Sequence, residues 1–446
     1  MKYNLVDFLG KEMHCSCGRI HSTPLKKLDI GEGAIGRIPS VLKELGYTKV
    51  YMVADKNTYK AAGAAIEEVL NKEAFAYKAI VLDEEELVPD EETLGRIFVA
   101  YPQDADVILG VGTGTINDLC KFVSYQLRMD YIICASAPSM DGFVSVGSAL
   151  MLDHVKTTVD AHSPVAVIGD TDVLAQAPMN MITAGLGDIL GKYTCLMDWK
   201  LAQMINGEYY CEEVVDMVKD SVETVVSQGE AMKRRDKQAV QAVMEALVLT
   251  GMAMYFVGNS RPASGCEHHM SHFWEMRFLM EGKKPILHGT KVGIGMVTAV
   301  KMYHMLAEEQ VDFAAARAKE RDYQAWEAKI RQCYFTAADG IIKVEEKSRK
   351  NDIAARNRRL DVIEEKWGLI QKTIKEELPE VEEVERLLDS LDAPSNPDQI
   401  GLSLELVEQG VQVAKEVRDR YTLLQILWDL GLEEEYSRRM VEYFKR

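Results

Sequence analysis

The chain has 446 residues, beyond the roughly 250–300 at which one hydrophobic core stops growing, so two domains are expected. Apolar residues make up 47% and charged residues 27%, a balance that argues against a disordered chain. A net charge of −18 argues against a general binder of nucleic acid or anionic membranes, since both are polyanions, but leaves room for a local basic pocket.

The N-terminus lacks a basic start followed by an apolar run, so no signal peptide is read. No stretch is read as a membrane span. Eight cysteines spread over the whole chain read as reduced thiols, not a disulfide scaffold, and imply a cytoplasmic protein. His14-Cys15-Ser16-Cys17 with His21 offers soft metal donors at short spacing. A C-x-C with no second pair is a weak signal, and an incidental or locally structural role is expected.

Strand-like and helix-like segments alternate through about residue 170. Residues 49–54 form a β-type run that ends at Asp55, and a helical pattern follows over residues 58–72. Residues 74–82, 107–109, 131–134 and 165–168 are further strands. Apolar strands spaced by helices predict a parallel sheet covered on both faces. After about Thr171 the β-type runs stop and long helical patterns take over. The expected architecture is a Rossmann-like α/β domain over residues 1–175, followed by an all-α domain over residues 176–446. Residues 307–392, rich in Glu, Lys and Arg, read as solvated helix faces.

Residues 107–118 spell a strand, a glycine-rich turn and a helix start: Val107-Ile108-Leu109-Gly110-Val111-Gly112-Thr113-Gly114-Thr115-Ile116-Asn117-Asp118. Glycine lets backbone amides approach a pyrophosphate, and a helix N-terminus favours its charge. The spacing is not the GxGxxG fingerprint. Asp55, closing its strand, either accepts hydrogen bonds from a ribose diol and repels a 2′-phosphate, or caps the following helix.

Histidine is scarce, yet His268, His269, His272 and His288 fall within 21 of the 446 positions. His268 and His272, four apart, share one helix face. Asp188 sits among apolar residues and glycines, where a buried carboxylate needs a partner. Two imidazoles and one carboxylate leave open positions on a cation, which suits Lewis-acid chemistry more than a closed structural site. Zinc, nickel and iron(II) all accept such donors.

Taken together, the turn at 110–118, Ser136-Ala137-Pro138-Ser139-Met140-Asp141-Gly142, Gly187-Asp188-Ile189-Leu190-Gly191-Lys192, the 264–272 run and His288-Gly289 resemble the AraM-like sn-glycerol-1-phosphate dehydrogenases. These belong to the superfamily of dehydroquinate synthases, glycerol dehydrogenases and iron-containing alcohol dehydrogenases. The resemblance implies that Gly112, Gly114, Thr115, Ile116, Asn117 and Asp118, with Ser136, Ser139 and Ser145, bind the dinucleotide. It implies that Asp188, His268 and His288 hold the metal and that Asp141 and His272 contact substrate. It departs from the family at Met140, where archaeal members often have histidine, and at Asn117.

The resulting expectation is an NAD- or NADP-dependent reduction of dihydroxyacetone phosphate to sn-glycerol 1-phosphate, with one divalent metal, zinc, nickel or iron. The enzyme is expected to be a homo-oligomer acting on a small phosphorylated substrate, with no nucleic-acid or membrane partner. Lys192, one turn after Asp188, Arg261 and Lys291 are the candidate phosphate contacts. A glycerol dehydrogenase acting on an unphosphorylated polyol, or a dehydroquinate synthase-like lyase, is the alternative.

Overall fold

Six β-type runs pair into one all-parallel sheet: Lys27–Gly31 (β1), Lys49–Asp55 (β2), Ala76–Leu82 (β3), Val107–Gly112 (β4), Asp130–Ala135 (β5) and Ala166–Asp170 (β6). The computed structural model describes residues 1–85, 87–152 and 155–446. The strand order is β1-β6-β5-β4-β2-β3. The chain leaves β2 outward to β3, crosses back to β4 on the other side of β2, and continues away through β5. The connections therefore diverge between β2 and β4, and a crevice at the carboxyl ends of two such strands is where α/β sheets take ligands. Asp55 ends β2 and Gly112 ends β4 at that point.

The residues explain the strands. Val50 to Ala54 and Val107 to Leu109 are all at most 1% exposed, as a sheet covered on both faces requires. Val50, Met52, Leu109, Val111, Ile132 and Ile168 pack with Ile38, Leu42, Ile66 and Leu70 of the covering helices. The half-buried edge strand β1 has no apolar run, and its pattern did not announce a strand. Nor did the antiparallel ribbon Gly147–Leu152 with Val155–Asp160. No strand follows Asp170 among the described residues, in keeping with the expected change to helix.

The chain divides into two units: residues 1–189 with 213–259, and residues 190–212 with 260–446. The division does not fall where strands give way to helices near residue 175. The physical reason is close packing of later helices on the loop after β5. A Cβ on Gly185 would lie 1.9 Å from the Pro138 carbonyl oxygen, and one on Gly251 would lie 3.2 Å from that of Asp141. Helices Met179–Leu190 and Lys237–Val257 thus press backbone to backbone on that loop. Lys237–Val257 is long and apolar enough to cross a membrane by length and composition, which the sequence reading did not register. It is apolar all round because 78% of that window is buried in the core. No disulfide joins the eight cysteines.

The second unit is helical. The charged stretch 307–392 is only partly the solvated surface expected of it. Arg356 and Arg359, on helix Ile353–Glu377, are buried. Arg359 makes a two-pronged pair with Asp429 at 2.7 and 2.5 Å, and Tyr421 donates its hydroxyl to the same carboxylate at 3.0 Å. Lys350 and Lys415 converge on buried Glu416, which also takes the Trp326 indole N–H at 2.9 Å. Burial would raise the Glu416 carboxyl, but these lysines and the Asn351 amide outweigh it and draw it down to about 2.

Removing one partner of a buried ion pair strands the other charge, at about 3–5 kcal/mol. Asp429→Ala is therefore expected to lower stability by about that amount in urea unfolding. The double change Arg359→Met, Asp429→Leu is expected to restore most of the loss, and an Asp429→Ala protein as stable as the wild type would contradict the pairing.

Candidate functional site

The glycine turn is built as the sequence suggests. A Cβ on Gly112 would meet Ile116 at 2.6 Å, while Gly114 faces open space with nothing within 4 Å. Gly112 is thus required by the turn's own packing, and Gly114 leaves room above the helix start. Helix Gly114–Leu127 has no side-chain cap at Thr113, so its first turn offers amides to an anion. The Thr113 and Ser139 hydroxyls hydrogen-bond each other at 2.8 Å, and the Ser136 N–H donates to the Gly112 carbonyl at 3.1 Å. Thr115 is half-buried in the same turn.

Asn117 and Ser145 make hydrogen bonds within the protein. Buried Asn117 donates to the Gly142 carbonyl at 3.1 Å and accepts the Tyr131 hydroxyl at 3.3 Å. Its side chain therefore braces the 141–145 loop and does not reach for phosphate. Ser145 receives a hydrogen bond from Lys121 Nζ at 2.9 Å. Lys121, wholly buried, also donates to the carbonyls of Gly142 at 2.8 Å and Gly147 at 3.1 Å. Burial lowers its pKa against the pull of Asp118, 3.8 Å away, and of Asp141. The sequence reading missed Lys121; a lysine among apolar residues on a helix two turns past the glycines was the available signal. Asp55 is a capping box: its carboxylate accepts the N–H of Asn57 at 2.7 Å and of Thr58 at 3.0 Å.

Asp141 and Asp188 meet in the first unit. Asp188 is fully buried and accepts the Asp141 N–H at 2.9 Å, so the loop after β5 is tied to helix Met179–Leu190 through the carboxylate singled out as a ligand.

The second unit gathers the histidines. His268 and His272 lie on helix Cys266–Met280, and His288 opens helix His288–Glu308. Ring centroids are 5.2 Å apart for His268 and His288, 5.5 Å for His272 and His288, and 6.1 Å for His268 and His272. The orientation of His268 is set by Glu267, which sequence reading passed over. His268 Nδ1–H donates to Glu267 Oε1 at 2.7 Å, so Nε2 carries the lone pair. Glu267 also accepts the Gly265 N–H and the Thr194 hydroxyl, each at 2.7 Å. Burial would raise its pKa, but these donors outweigh burial and hold it below the usual carboxylate value.

Two glycines make this possible. A Cβ on Gly265 would sit 2.5 Å from Asp198 and 2.8 Å from Glu267, and one on Gly295 would sit 2.5 Å from the Glu267 carbonyl oxygen. Beside Glu267, Asp198 accepts the Tyr303 hydroxyl at 2.5 Å and the N–H groups of Cys266 and Leu423, each at 2.6 Å. Burial and the Glu267 charge push Asp198 up to about 7 in spite of those bonds.

The candidate cations differ in what they are committed to. Lys192 is wholly buried and donates to the Ala263 carbonyl at 3.0 Å. Lys291 donates to the Ile286 carbonyl at 2.7 Å and to Glu275 at 3.2 Å. Arg261 is held by both Glu208 oxygens and by the Tyr421 carbonyl at 2.8 Å, so its guanidinium is taken up by structure and a phosphate role for it is set aside. Two arginines that sequence reading missed stand nearer the histidines in electrostatic effect. Burial pushes His272 down to about 4, opposed by neighbouring Glu275, and the Arg418 charge adds to the fall. His269, buried with neither ring nitrogen hydrogen-bonded among the described residues, is lowered by burial and then by Arg420 and Arg418. Arg420 is anchored to Ser260 Oγ at 2.7 Å and to the Ser264 carbonyl at 3.3 Å.

Residues 29–178 match the iron-containing alcohol dehydrogenase family. A glycerol-1-phosphate dehydrogenase (NAD(P)+) from Geobacillus stearothermophilus is 31% identical over 96% of this chain and 99% of its own. Another from Halalkalibacterium halodurans is 33% identical over 93% and 95%. The crystal structure of glycerol dehydrogenase from Schizosaccharomyces pombe superposes with a TM-score of 0.60 at 15% identity, covering 94% of this chain and 91% of that one, a likeness of fold. With near-complete coverage at this identity, the chain belongs to the glycerol-1-phosphate dehydrogenase family of the iron-containing alcohol dehydrogenase group.

Proposed function

We propose that this protein interconverts dihydroxyacetone phosphate and sn-glycerol 1-phosphate, using NAD(P) and one divalent cation held by Asp188, His268 and His288. The observation that carries the reading is the buried Glu267–His268 bond, which leaves Nε2 as a donor beside His288. Together with Asp188, these side chains offer one carboxylate oxygen and two imidazole nitrogens, a set that fits zinc, nickel or iron(II) and leaves open positions.

Held by these residues, a cation would supply Lewis acidity to the substrate's oxygens, and a bound nicotinamide would supply the hydride. The protein's own groups do the rest. The amides of the Gly114 turn receive the dinucleotide phosphates, and Ser136, Ser139 and Thr113 present hydroxyls beside them. Asp55 accepts the ribose hydroxyls with the carboxylate oxygen its cap leaves over. Asp141, held by Asp188, orients the substrate's hydroxyl. His272 has Nδ1 3.6 Å from Glu275, so Nε2 is the atom that moves the alcohol proton. Arg418, with Arg420 and Lys192, meets the phosphate, and selects a phosphorylated triose over a neutral one.

His268→Ala is expected to remove both the bound cation, measured by elemental analysis, and turnover; full metal occupancy in that variant would take His268 out of the ligand set. Arg418→Ala is expected to raise KM for dihydroxyacetone phosphate by roughly tenfold to a hundredfold, the worth of one charged hydrogen bond. The same change should leave kinetics with dihydroxyacetone nearly unaltered, and an equal effect on both ketones would remove Arg418 from the phosphate site. Asp55→Asn keeps the helix cap and removes only the charge, so relative kcat/KM for NADPH over NADH should rise. An unchanged ratio would sink the ribose assignment.

A further inference from the structure

A second group of soft donors lies at the N-terminus. Strands Met13–His14 and Ile20–His21 pair antiparallel with only two residues each, too short a ribbon to hold itself in water. The turn between them is drawn tight by Cys15 N–H to the Arg19 carbonyl at 3.1 Å, by Gly18 N–H to the Cys15 carbonyl at 3.0 Å, and by Gly18 at a φ of +83°. Within it the Cys17 N–H donates to Cys15 Sγ at 3.5 Å, and Cys17 Sγ lies 3.4 Å from His21 Nε2. Donor atoms of Cys15, Cys17 and His21 all lie within 4.8 Å of one another.

The histidine is set as a ligand would be. His21 is 1% exposed, and its Nδ1–H donates to the Phe256 carbonyl at 2.9 Å. Its lone pair is therefore on Nε2, the nitrogen beside Cys17. A fourth donor follows from chain connectivity. The Ser16 N–H, between the two cysteines, donates to the Glu213 carboxylate at 3.1 Å, which docks residue 213 on this turn. Buried Cys211 is two residues earlier, within about 7 Å along the chain.

We propose that Cys15, Cys17, His21 and Cys211 form a structural zinc site. Three thiolates and one imidazole are a tetrahedral set that closes on zinc with no position left for substrate. The site is separate in role from the histidine cluster, and stands or falls independently of the proposed reaction. Its work is to staple a ribbon that its own strands cannot hold and to fasten it to the start of helix Glu212–Val226. The sequence showed only C-x-C-x3-H because the fourth ligand comes from a distant part of the chain.

The test is cobalt reconstitution of the full chain, followed by absorbance, with zinc measured on protein purified without a metal-chelating resin. The wild type and His268→Ala should both show thiolate-to-cobalt charge-transfer absorption, since the histidine cluster contains no sulfur. Cys17→Ser and Cys211→Ser should each lose that absorption and one equivalent of zinc. If these variants do not fold, alkylation of the wild type replaces them: Cys15, Cys17 and Cys211 should react at least tenfold faster once a chelator has stripped the zinc. The proposal is overturned if the wild type shows no thiolate-to-cobalt band, if Cys211→Ser keeps it, if stripping leaves alkylation rates unchanged, or if non-reducing peptide mapping finds these cysteines in a disulfide.

Discussion

A carboxylate buried at full depth, Glu267, organises the second unit. It is surrounded by donors placed to keep it ionised: an imidazole N–H, a threonine hydroxyl and the amide of Gly265. Burying a carboxylate without such partners costs far more than a domain's net stability can bear. The packing around it follows from that constraint. Gly265 and Gly295 lack side chains where any Cβ would collide with Glu267 or Asp198, and Tyr303 and the Leu423 amide are drawn in to serve Asp198. The return is an imidazole fixed in one tautomer and one direction, as a ligand to a cation must be. A free histidine on a helix face would spend its time among rotamers and tautomers.

The first unit solves a different problem with similar means. A parallel sheet creates a crevice wherever its connections diverge, and here that point lies between Asp55 and Gly112. The loop after β5 must then be held open and rigid over the glycine turn. Buried Lys121 and Asn117 pin its carbonyls from below, while Gly185 and Gly251 let two helices close on it. Neither polar residue needs to touch a ligand to matter. Their hydrogen bonds decide where Asp141, Ser139 and Ser145 stand.

The sequence disclosed what depends on local pattern. Strands β2, β4, β5 and β6 are continuous apolar runs, the turn at 110–118 is a glycine cluster after a strand, and His268, His272 and His288 stand out because histidine is scarce. It concealed what depends on distant contact. Strand β1 is five half-buried residues at the sheet's edge without an apolar run, so it does not stand out. Glu267 reads as one more acid on a helix until its burial and its bond to His268 are seen. Arg261, just ahead of the histidines, looked like a phosphate ligand, yet Glu208 claims it, whereas Arg418 and Arg420 come from a segment far along the chain from His268. The charged stretch 307–392 looked wholly solvated because composition does not reveal that Arg359 has Asp429 waiting for it.

The most direct measurement of the proposed reaction is NADH and NADPH oxidation by metal-stripped and metal-reloaded protein with dihydroxyacetone phosphate and with dihydroxyacetone, the product's configuration being determined. The account predicts that stripped protein is inactive and that zinc, nickel or iron(II) restores it. It predicts kcat/KM at least a hundredfold higher for the phosphorylated ketone, with sn-glycerol 1-phosphate as product. Full activity without metal, or a preference for the unphosphorylated ketone, would contradict it.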